Sequence, residues 1–243
     1  MKYDEIKNFF EVDIYELNYN TATHEITDYE LNLDDKNPYK YNALYLMDAN
    51  FGDFTDNNKG YNIKYAMFVC GQDCITKDVN KIHIVIGQNP SYSTNKNIDK
   101  TNQSIYKALI NNEINCYILL NTFPIINADG ANAPDLLKVS ENIEIAKSII
   151  KNLKGKGLTV SIVYACGTSL PIYAKFIDAI TTLVKELDIS TYAFENGNEL
   201  VPHMSMQYIN SKSFDYKNFK LVPYKVQTET QEDFKKAVFK KEL

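Results

Sequence analysis

The chain has no apolar run approaching the roughly 20 residues that a helix needs to cross a bilayer. Its first ten residues, M-K-Y-D-E-I-K-N-F-F, lack the apolar block of a signal peptide. A cytoplasmic protein without membrane contact is therefore expected. Histidine is scarce, and His24, His83 and His203 are too dispersed to suggest a cluster. Cysteine is scarce as well. Cys70 and Cys74 make a C-x3-C pair, but no second Cys/His pair at zinc spacing follows them. Reduced packing thiols are the expectation, with no metal and no cofactor. A basic surplus is also missing: 26 Lys+Arg against 31 Asp+Glu leave a formal charge of −5. That argues against a broad basic face and against tight non-specific DNA binding, although lysines recur at 96–100 and 151–156. Tryptophan is absent while Asn, Lys, Ile and Tyr are abundant, a bias that an AT-rich coding sequence explains without reference to function.

What remains is an ordinary globular composition. With 243 residues, 44% hydrophobic and 23% charged, the chain can bury one sizeable core. Lys2 to Phe10 carries Ile6, Phe9 and Phe10 on one helical side. Residues 18–40 are polar and read as loop with short strands. Tyr41–Met47 and Tyr61–Val69 are β-rich runs separated by turn residues, which predicts a hairpin with a long connection.

From Lys81 the rhythm changes. I-H-I-V-I (82–86), C-Y-I-L-L (116–120) and T-V-S-I-V-Y (159–164) are short apolar runs of the kind buried on both faces of a parallel sheet. Helical patterns lie between and after them at 104–109, 140–153 and 170–187, and a weaker strand follows at 191–194. Strand, loop and helix in repetition predict an α/β class fold: a three-layer α/β/α domain with a short central, mostly parallel sheet. We read 1–243 as one domain, with a hairpin-containing N-terminal elaboration over 1–80, an α/β core over 81–226 and a charged amphipathic helix over 227–243.

In such sheets ligands bind at the carboxyl ends of the strands. Three unusual loops follow predicted strands directly: G-Q-N-P-S-Y (87–92), N-T-F-P (121–124) and C-G-T-S (166–169). A fourth, P-H-M-S-M-Q-Y (202–208), follows the last weak strand.

Taken in order, V-I-G-Q-N-P-S-Y, I-L-L-N-T, Y-A-C-G-T-S and P-H-M-S-M resemble the strand-end motifs of the uracil-DNA glycosylase superfamily. More narrowly, N-P-S with Asp99 and Thr101, then L-N-T-F and S-E-N (140–142), resembles an uncharacterised bacterial and phage family related to it. The resemblance covers about residues 81–210 and implies roles. Asn89 would position the water that attacks the sugar carbon. His203 would stabilise charge on the departing base. Asn121 would read the Watson–Crick edge of the base, Gly87 and Gln88 would offer it backbone donors, and Pro90 belongs to the same substrate-binding loop. Ser91 and Ser205 would contact phosphate. Because an amide does not ionise, Asn89 in place of aspartate predicts a slow enzyme or a different substrate.

Each residue also has a plainer reading. Asn89–Pro90 can form an Asx-type turn, Asn121 can cap a turn, and His203 can be a packing histidine. His83, on its apolar strand, is expected to be buried and hydrogen-bonded. Two functions follow: a protein that binds a nucleobase, nucleotide or nucleic acid and hydrolyses an N-glycosidic bond, or a non-catalytic module that holds a nucleotide or contacts a protein partner.

Overall fold

The computed structural model describes residues 1–9, 21–32, 38–48, 63–71, 74, 77–88, 100–124, 136–166, 171–197, 199–201, 216–227 and 238–241. Four strands form its parallel centre. They are β4 (Lys81–Gly87), β5 (Cys116–Asn121), β6 (Thr159–Tyr164) and β7 (Ser190–Asn196). β4 lies between β5 and β6, and β7 follows β6. The helices between them, α2 (Lys100–Asn111), α3 (Leu136–Gly155) and α4 (Pro171–Glu186), are the crossovers that parallel neighbours require. The α/β class expected from the sequence is what the protein adopts.

The sheet runs on past this centre in antiparallel fashion. On one side β5 pairs with β3 (Ile63–Gly71), which pairs with β2 (Pro38–Asp48), which pairs with β1 (Thr21–Asn32). On the other, β7 pairs with β9 (Phe219–Gln227) and with the short β8 (Glu199–Val201), and β9 pairs with β10 (Val238–Lys241). The parallel character therefore belongs to the central four strands and not to the whole sheet. The expected hairpin exists as β2 and β3, but β3 is a full member of the sheet, not an elaboration laid on it. A single 12-residue β1 also takes the place of the loop with short strands expected over 18–40. The helix expected over 227–243 is corrected at its end, where V-F-K-K is strand β10 with Lys240 opposite Lys225. The open edge of β9 supplies ladder partners there, and pairing outweighs the local helical pattern; residues 228–237 lie outside the described set.

Strand alternation sorts the core into two clusters. Ile82, Ile84 and Ile86 of β4, with Ile118 and Leu120 of β5, pack against α3 and α4 and against Ile6 and Phe9 from the short helix α1 (Tyr3–Asn8) and its end. Val85, Tyr117, Leu119 and Val163 face the other way, onto Ile105, Tyr106 and Leu109 of α2. Helices thus cover both faces of the parallel centre. Asparagine amides fasten irregular backbone at its margins: Asn112 Nδ2 donates to the Phe219 carbonyl at 2.9 Å, and Asn112 Oδ1 accepts from the Leu221 N–H at 3.1 Å. Among the described residues no helix is long and apolar enough to cross a membrane.

Candidate functional site at the strand carboxyl ends

β4 and β5 end side by side, with Gly87 in register with Asn121. The loop after β5 is laced to the loop after β4. The Thr122 N–H donates to the Gly87 carbonyl at 2.9 Å, and Thr122 Oγ1 donates to the Gln88 carbonyl at 2.8 Å. The Phe123 N–H donates to the same Gln88 oxygen at 3.2 Å. From the far side of the sheet Asn142 of α3, only 1% exposed, donates from Nδ2 to the Asn121 carbonyl at 2.8 Å. Pro124 then accepts the Lys64 N–H at 2.8 Å, which ties the end of the loop to the start of β3. Little freedom is left to residues 121–124, all of which are buried.

The Asn121 side chain is the unusual part. It is 3% exposed, yet its amide makes no hydrogen bond among the described residues. Its Oδ1 is pressed against Gly87, where a β-carbon would lie 2.7 Å from that oxygen and 3.3 Å from Leu119 Cδ1. Close approach rather than backbone dihedral favours glycine at 87, since a larger residue must displace the Asn121 side chain. The amide of Asn121 is not sealed off without a partner, so it carries no desolvation penalty of the kind an orphaned buried group pays. It presents one acceptor and two donor hydrogens, the complement of another amide-like edge.

Further back on β4, His83 gives the opposite case. It is 6% exposed, and its Nδ1 lies 2.7 Å from Ser161 Oγ on β6. Burial and then the charge of Lys81 lower its pKa to about 4, so the imidazole is neutral near neutral pH. The structural role expected for it holds. Cys166, just past β6, is wholly buried, and burial pushes its thiol up to about 12; it is no nucleophile at neutral pH.

Of the residues singled out in the sequence, the structure brings together Gly87, Gln88 and Asn121. Asn89, Pro90, Ser91, His203 and Ser205 lie outside the described residues. Sequence reasoning passed over Asn142 and Thr122 as site residues. Asn142 had a legible signal, since it falls on the helical stripe with Ala146, Ile149 and Leu153, where an apolar residue is due. A separate groove of about 440 Å³ lies between α4, β7 and β9, lined by residues including Tyr164, Thr181, Tyr192 and Lys225. Gly87, Gln88 and Asn121 do not line it.

No family model matches the chain, and no curated protein matches it. A solved structure from Lactobacillus plantarum WCFS1, described as a "putative carboxylesterase", is similar to it at 12% identity and a TM-score of 0.26. The match covers 69% of this chain and 53% of that one, about half of the other protein's length. Such a TM-score assigns neither fold nor activity. The resemblance to the uracil-DNA glycosylase superfamily, and to the bacterial and phage family related to it, is overturned by these comparisons, none of which finds a member of it. Its motifs are short runs of Gly, Asn, Pro and Ser, residues that strand-end turns favour for their own conformational reasons.

Proposed function

We propose that the carboxyl edge of the parallel strands binds a nucleobase or nucleotide, with the Asn121 amide as the group that reads the base edge. The single observation carrying this is that amide: set at the carboxyl end of β5, its backbone locked from behind through the Asn121 carbonyl, and hydrogen-bonded to no other described residue. A base offers the donor and acceptor pattern that would satisfy it, and a base in a pocket is read in this manner by enzymes that act on it. In α/β folds with a parallel centre, such ligands sit at the carboxyl edge of the strands. The reaction class we assign to the pocket is hydrolysis of an N-glycosidic bond, with Asn89, next after Gln88, orienting the water. The formal charge of −5 favours small nucleotides over long nucleic acid as ligand.

The test is base release. Purified protein is incubated with free nucleotides and with oligonucleotides carrying each common base, and free base is measured by mass spectrometry. Release that disappears in Asn89→Ala and Asn121→Ala supports hydrolysis. Binding without release, lost in Asn121→Ala alone, supports a pocket without catalysis. No binding and no release by a folded protein rejects the proposal.

A further inference from the structure

At the opposite edge of the sheet three thiols meet. Cys70 lies near the end of β3 and Cys116 opens β5, and the antiparallel register sets them directly opposite one another. The next pair is closed by the Gly71 N–H donating to the Asn115 carbonyl at 2.8 Å. Cys70 and Cys116 therefore form a non-hydrogen-bonded pair, the class in which facing side chains come closest. Their sulfurs are 3.0 Å apart. Cys74, four residues beyond Cys70, returns its sulfur to the same place, and the three Sγ atoms all lie within 4.8 Å of one another. Cys70 and Cys116 are buried at 0% and 6% exposure, while Cys74 is partly buried against the same cluster. No disulfide joins them.

Packing alone explains two thiols in contact across a ladder. It does not explain a third converging on them from a turn. A tetrahedral zinc with Zn–S bonds of about 2.3 Å sets its sulfurs about 3.8 Å apart. Moving Cys70 and Cys116 from 3.0 Å to that spacing is a shift of less than about one ångström, within reach of small side-chain rotations. Among the described residues the ligating atoms of this group are all sulfur, which selects soft ions over magnesium or calcium. The partial exposure of Cys74 gives an entry path.

We propose that Cys70, Cys74 and Cys116 form a binding site for a thiophilic d10 metal ion, with zinc as the ion to test. Three S–H protons leave to solvent as three sulfur–metal bonds form, and the site with a divalent ion carries a charge of −1. No oxidant or reductant takes part. The ion clips the end of β3 and the turn after it to the first residue of β5. Asn121 lies five residues further along β5, about 17 Å away at strand spacing, so the metal serves the frame and not the base pocket.

The test is titration of the reduced full chain with Zn²⁺ against a chromophoric chelator, with bound metal counted by native mass spectrometry. One Zn²⁺ per chain is expected, with affinity falling as pH drops because three thiols must lose protons. Cys74→Ser, at the partly exposed position, is expected to fold and to bind more than about tenfold more weakly. Cys116→Ser is expected to do the same, and Cys166→Ser to retain one equivalent. Absence of Zn²⁺ binding by the folded, reduced chain overturns the proposal. So does binding unchanged in Cys74→Ser. A Cys70–Cys116 disulfide forming in air at the same rate with Zn²⁺ as without it also overturns it.

Discussion

His83 and Asn121 sit on the same face of the parallel centre, four residues apart along neighbouring strands, and both are buried polar groups. Only one of them has a side-chain partner among the described residues. His83 meets Ser161 across the β4–β6 ladder; the Asn121 amide lies against the bare α-carbon of Gly87 and bonds to no other described residue. Burial of a polar side chain is therefore not by itself the mark of a site. In the middle of a strand a polar group is retained because a neighbouring strand completes it. At the carboxyl end of β5, an amide bonded to no other described residue is the group that we propose a ligand completes. The same contrast appears between amides, for Asn112 and Asn142 spend theirs on backbone carbonyls and Asn121 does not.

The largest expected effect breaks the comparison at its crowded point. Gly87→Val forces side-chain atoms into Asn121 and Leu119, and is expected to cost about 3 kcal/mol in urea unfolding and to abolish ligand binding. Ser161→Ala comes next. It strips His83 of its partner and is expected to cost about 2 kcal/mol without touching ligand affinity.

The histidine also gives a pH signature. Unfolded, it takes up a proton near pH 6.5; folded, it resists until about pH 4. Between those values the unfolded state holds the extra proton, so its contribution is complete above pH 6.5 and lost as pH falls through the window. His83→Phe is expected to reduce the pH slope of stability there by about one proton. Asn142→Ala, which bares the Asn121 carbonyl, is expected to cost about 1 kcal/mol and to loosen ligand binding through the displaced loop. Smallest is Asn121→Ala, expected to change apo stability by less than about 1 kcal/mol because no partner is lost.

Much of the centre was legible because period-2 alternation and unbroken apolar runs are local facts. I-H-I-V-I, C-Y-I-L-L and T-V-S-I-V-Y all became parallel strands within a residue or two of the expected limits. What escaped depends on pairing at a distance. β1 and β10 draw their order from a neighbouring strand edge, and V-F-K-K carries no signal that such an edge is waiting. The sulfur cluster was missed for the same reason: Cys116 is 46 residues from Cys70, and only the β3–β5 register puts them together. Within the site, Gly87 and Asn121 were readable as strand ends. Their close approach was not, since it follows from register and packing.

The measurement that bears most directly on the central claim is isothermal titration with free bases and nucleotides, run on the wild type and on Asn121→Ala, with urea unfolding of both ligand-free proteins alongside. The account predicts at least one base-containing ligand whose affinity falls by about tenfold or more in the variant while ligand-free stability is unchanged to within about 1 kcal/mol. Equal binding by the two proteins, or a variant that unfolds about 2–3 kcal/mol more easily and a wild type that binds none of the panel, would make Asn121 a structural residue like His83 and contradict it.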